Sequence, residues 1–180
     1  MTVLLRLAEA IARDRMSGTR RGSDRLSWRH AQDVAERVAA HLSHLEPEDR
    51  ETWTAIAWLH DVLEDGTQKD PGDLGDVLVE GGVPVARAAH IASMVELLTK
   101  AKGWTPDSYF GRLRREGPPE VRIVKLLDRL ANLTEGRDTL DAADQARKID
   151  ETREFILPLL DGIPEPLRSE IRKALIDVMA

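Results

Sequence analysis

The segment WLHDVLEDGT, residues 58–67, carries one histidine and three carboxylates in close succession: His60, Asp61, Glu64 and Asp65. Imidazole nitrogen and carboxylate oxygen together suit a borderline divalent cation, and a carboxylate beside such an ion can take a proton from water. A helix through this stretch sets His60 four residues from Glu64 and Asp61 four from Asp65, so each pair shares a face. His60 and Asp61, being adjacent, diverge by about 100° on an ideal helix. His60 continues the apolar stripe Trp53, Ile56 and Ala57, which turns it inward. The carboxylates fall at a helix C-terminus, where the dipole disfavours negative charge, and a bound cation removes that conflict. A histidine–aspartate pair alone is common, and a solvated acidic helix end is the plain alternative.

Two further segments bear on the choice. In VRIVKLLDRLANL, residues 121–133, apolar side chains cover most of the helix circumference, so the helix is expected to be buried. Asp128 shares a side with Val121, Val124, Lys125 and Asn132, with Arg129 at its border. A buried carboxylate needs a partner. That partner is a metal, or an ion pair with Lys125 or Arg129. In SWRHAQDVAERV, residues 27–38, His30 lies in the first helical turn on the side of Val34 and Val38, as a ligand or as an ordinary half-buried histidine. His41 and His44 read as surface residues, and His90, in an alanine-rich helix, as structural.

The elements that must position these groups read as helical throughout, with no sustained strand alternation, no repeat and no linker. Helices are expected over 2–15, from an N-cap at Ser27 to about His44, and from Pro47, whose following Glu48 and Asp49 suit a helix start. A short helix is expected near 73–80, then others over 84–99, 105–116, Pro118 to about Leu133, 141–160 and 164–179. The expected fold is an all-α domain of seven to nine helices, with residues 1–180 as one domain.

Composition narrows the chemistry. The chain has 180 residues and no cysteine, so disulfides and thiolate metal sites are excluded. With 32 acidic and 26 basic side chains the net charge is -6, which argues against an extended basic face for long nucleic acid. Aromatic residues are 4% of the chain, too few for a single-strand stacking platform. A small phosphorylated ligand needs only a local cluster of cations. The N-terminus has no continuous apolar stretch, and a cytoplasmic protein without membrane partners is expected.

In the order H…HD…D, these segments resemble the HD superfamily of metal-dependent phosphohydrolases. The HDxxED form, with HxxxVA from His30 to Ala35 and KLxDRLxN from Lys125 to Asn132, is similar to the hydrolase domain of RelA/SpoT-type enzymes and of the small Mesh-type alarmone hydrolases. The resemblance runs from about residue 16 to 160. It implies an all-α fold and one Mn²⁺ held by His30, His60, Asp61 and Asp128. It also implies Glu64 and Asp65 as the catalytic acidic pair, Asn132 on the substrate side, and Arg20 and Arg21 packed against a nucleotide base. His30 precedes Ala31, where the family usually has proline.

On this footing Lys125, Arg129 and the Arg20–Arg21 pair are expected to stabilise an anionic nucleotide of the (p)ppGpp type, with pyrophosphate and GDP or GTP as products. The chain leaves no room for the synthetase domain of bifunctional relatives, so hydrolysis alone is expected. The competing readings are an HD-type nucleotide phosphatase, such as a 5′-nucleotidase, and a non-catalytic nucleotide-binding domain.

Overall fold

The computed structural model describes residues 1–20, 24–64, 66 and 70–180. Among them the regular structure is helical, and the only extended pairing is an isolated bridge between Thr19 and Leu26. The described residues fall into two compact units, residues 1–20 with 24–102, and residues 103–180.

The first unit is built on α1 (Val3–Arg15), α2 (Ser27–His41), α3 (Pro47–Leu59), α4 (Pro71–Glu80) and α5 (Val85–Leu98). Helix α3 packs against α1, α2 and α5, and this explains its composition. Every side chain from Thr52 to Leu59 is buried, so there is no polar face to keep wet. The two threonines in that run return their hydroxyls to their own helix, Thr52 to the carbonyl of Glu48 at 2.9 Å and Thr54 to that of Arg50 at 2.7 Å. Pro47 opens the helix with Glu48 and Asp49 in its first turn, as expected.

Helix α2 departs from the expectation at its start. Ser27 is its first residue, not its cap, and the flanking Leu26 offers no capping side chain. The Ser27 N–H instead donates to the Gly18 carbonyl at 2.8 Å, so the loop before the helix satisfies that donor. At its other end the helix stops at His41, three residues short of the expected limit.

The second unit holds α6 (Pro106–Glu116), α7 (Pro119–Thr139), α8 (Ala142–Glu151) and α9 (Leu167–Met179). Between α8 and α9 the chain passes through a π-helical turn, Thr152–Ile156, and a 3₁₀ turn, Leu157–Leu160. The expected single helix over 141–160 therefore changes pitch. Pro158 has no N–H to continue an α-helical ladder, and the backbone tightens there. Helix α7 packs against α8, α9 and both of these turns. It runs on to Thr139, six residues beyond the expected end.

Candidate metal centre

Helix α3 ends at Leu59, and His60 to Glu64 follow in tight turns. The Val62 N–H donates to Leu59 at 3.0 Å and the Glu64 N–H to Asp61 at 3.1 Å, both three residues back. This corrects the expectation that the helix continues through 60–64, with His60 and Glu64 on one face. The Asp61 carboxylate reaches back to the His60 ring. His60 Nε2 and Asp61 Oδ2 stand 3.2 Å apart.

The inward direction expected for His60 holds, with 1% of the residue exposed. Its Nδ1 lies 2.7 Å from the Ala57 carbonyl oxygen, which can only accept, so Nδ1 carries the proton. Nε2 is thereby the nitrogen presented to the Asp61 carboxylate. Two acceptors at that separation repel unless a proton or a cation lies between them.

His30, in the first turns of α2, is fully buried, and its ring centroid lies 5.5 Å from that of His60. One donor atom each from His30, His60 and Asp61 falls within 4.8 Å of the others. Donors around an ion at roughly 2.0–2.2 Å lie within about 4.4 Å of one another, so small side-chain adjustments close this set on one cation. The residues fit a divalent metal. The hydrogen bond to the Ala57 carbonyl fixes the tautomer that ligation needs. Glu64 is exposed, and its Oε2 accepts the backbone N–H of Lys100 at 3.2 Å. Lys100 had no sequence signal for this role, because a backbone donor looks the same at every position.

In the second unit, α7 buries Asp128 to 3% exposure. Its two oxygens are engaged by neighbours one turn away: Lys125 Nζ lies 2.8 Å from Oδ2, and Asn132 Nδ2 donates to Oδ1 at 2.6 Å. The expected grouping of Lys125, Asp128 and Asn132 on one side of the helix is thus present. Arg129 has a carboxylate partner within this unit. It is buried, and its Nη2 is 2.8 Å from the Glu151 carboxylate. A guanidinium in that setting needs a fixed counter-charge, and α8 supplies it.

Arg20 is half-buried, and its backbone N–H donates to the Arg25 carbonyl at 2.9 Å. Arg21 and Asp65 lie outside the described residues. Of the other histidines, His44 is exposed, His41 is half-buried with Nδ1 on the Arg37 carbonyl at 2.8 Å, and His90 packs edge-on against Trp53.

The model of the HD domain matches residues 27–133, more than half of the chain. The chain belongs to the HD-domain family. The activity is that of a metal-dependent phosphohydrolase. No curated protein matches this HD-domain chain. Among solved structures it is similar to a metazoan ortholog of SpoT that hydrolyses ppGpp and plays a role in starvation responses. The likeness has a TM-score of 0.73 over 98% of this chain and 96% of that one, at 16% identity, and it is a likeness of fold.

Proposed function

We propose that this HD-domain protein is a Mn²⁺-dependent (p)ppGpp pyrophosphohydrolase. The observation that carries the metal chemistry is the clustering of His30, His60 and Asp61, with the His60 ring oriented by the Ala57 carbonyl. The choice of substrate rests on the HDxxED pattern and on the similar solved protein, which hydrolyses ppGpp. Residues 1–180 act as one HD-type domain on this reading, supported by a family match that includes residues of both compact units. No described helix is long and apolar enough to cross a membrane, and action on a free nucleotide suits a cytoplasmic enzyme.

Asp128 serves as the fourth ligand. Its burial and its contacts with Lys125 and Asn132 support that role, since outer contacts orient a ligating carboxylate. A bound divalent ion supplies Lewis acidity, lowering the pKa of water and polarising a phosphoryl oxygen. Glu64 and Asp65 orient the attacking water and receive its proton, Glu64 being held by the Lys100 backbone. Arg20, Arg21 and Lys125 neutralise the phosphates, and Asn132 adds a hydrogen bond on the substrate side. Arg129 serves the site by tying α7 to α8 through Glu151.

The test is product identification with Mn²⁺ and a panel of ppGpp and deoxynucleoside monophosphates. Pyrophosphate released from ppGpp is the expected result. Orthophosphate from a monophosphate, with ppGpp untouched, would replace the proposed substrate by that of a nucleotidase. No turnover of any member, with no bindable divalent ion, would overturn the metal reading as well.

A further inference from the structure

The loop that carries Arg20 is tied to α2 by a residue with no place in the motifs above. The bridge between Thr19 and Leu26 is closed by two backbone hydrogen bonds, Ser27 N–H to Gly18 O at 2.8 Å and Arg20 N–H to Arg25 O at 2.9 Å. The backbone of Arg20 is therefore located through the carbonyl of Arg25. The Arg25 side chain in turn grips the helix. Its Nη2 donates to Asp33 Oδ2 at 2.7 Å and to the Arg29 carbonyl at 3.3 Å. Asp33 lies three residues after His30 on α2, so one side chain couples the Arg20 loop to the helix bearing a metal-cluster histidine.

We propose that the Arg25–Asp33 ion pair is a positioning clasp that sets Arg20 for the phosphorylated substrate. This inference rests on the proposed role of Arg20. Both partners are partly exposed, with side-chain accessibilities of 34% and 37%, and exposed pairs add little to global stability. The effect of the pair thus falls on the loop it holds, and that separates a clasp from an ordinary structural contact. Breaking it moves substrate affinity while leaving the fold and the metal cluster unchanged.

The experiment compares R25A, D33A and R25A/D33A with the wild-type protein in two measurements. The first is the rate of trypsin cleavage after Arg20, which does not depend on the substrate. Both single variants are expected to be cleaved faster, with helix content by circular dichroism unchanged. The second is steady-state kinetics with Mn²⁺ and ppGpp, or with whichever nucleotide of the panel is turned over. KM is expected to rise about three- to fivefold in each single variant, the size that coupling in an exposed pair allows, with kcat and Mn²⁺ affinity within about twofold. The double variant is expected to be no worse than the poorer single one, as for two residues acting through one contact.

Unchanged cleavage in both single variants would overturn the clasp whatever the substrate proves to be. Faster cleavage with an unchanged KM would overturn its link to substrate binding. Additive KM increases in the double variant would show two independent effects and overturn the pairing. Failure of wild-type protein to hydrolyse ppGpp touches only the substrate proposal, because the cleavage measurement still decides the clasp.

Discussion

A histidine whose Nδ1 proton is committed to the Ala57 carbonyl has one nitrogen to offer, and His60 offers it toward Asp61. Replacing Asp61 with alanine is expected to abolish Mn²⁺ binding and turnover, with kcat falling at least about a thousandfold and helix content retained. Calorimetric titration with Mn²⁺ checks the first effect and product assays the second; tight Mn²⁺ binding by D61A would remove the carboxylate from the ligand set. Asp128 allows a finer test, because a metal ligand and a plain ion-pair partner respond differently to substitution. If it ligates the metal, D128N weakens Mn²⁺ binding by about tenfold or more, whereas K125M, which removes only the ion-pair partner, weakens it far less. Equal effects of the two variants would favour the plain ion pair. Gly66 is constrained for a different reason. A Cβ there would sit 2.0 Å from the Val62 carbonyl oxygen, so G66A must displace the turn that follows the histidine–aspartate pair. The expected cost is about 1–3 kcal/mol in urea unfolding, with reduced activity, and an unchanged midpoint would show that the turn adapts freely.

At the scale of the element, the sequence pattern located each described α-helix, while several ends and the pitch of one element followed other rules. The stretch TEGRDT after Leu133 looks like a helix stop, being polar and containing glycine. Tertiary contacts continue α7 through it. Gly136 is buried, and Arg137 donates to the carbonyls of Asp177 and Val178 at 3.2 and 3.0 Å near the end of α9. Those carbonyls have no partner within their own helix, so Arg137 acts as a cap supplied from another element. R137A should therefore cost about 0.5–1.5 kcal/mol, read from denaturant midpoints, with activity little changed. The end of α3 shows the converse. Its apolar stripe pointed His60 inward without revealing that the ladder tightens after Leu59 or that the Asp61 carboxylate reaches back to His60 Nε2.

For the molecule as a whole, the net charge of -6 and the scarcity of aromatics disfavour a nucleic-acid surface and suit a small anionic ligand met by local cations. Metal binding should register in global stability, because a ligand set assembled only on folding stabilises the folded state. Mn²⁺ at about a hundred times its dissociation constant is expected to add about 2.7 kcal/mol. For a chain of this size that raises the unfolding temperature by about 2–4 °C per kcal/mol. EDTA should reverse the shift, and D61A should show none; a shift of the same size in D61A would place the ion elsewhere. By itself the sequence determined the all-α class, the donor types and the chain order H…HD…D, because residue chemistry and periodic burial are local properties written directly in the residues. It also excluded thiolate chemistry, since cysteine is absent. Only the tertiary structure decided which His60 nitrogen is presented, that Asp61 turns back toward it, that Arg129 is committed to Glu151, and that Arg25 clasps α2 through Asp33. Each of these depends on a backbone carbonyl, a side-chain rotamer or a distant counter-charge, and no spacing of residue types along the chain specifies them.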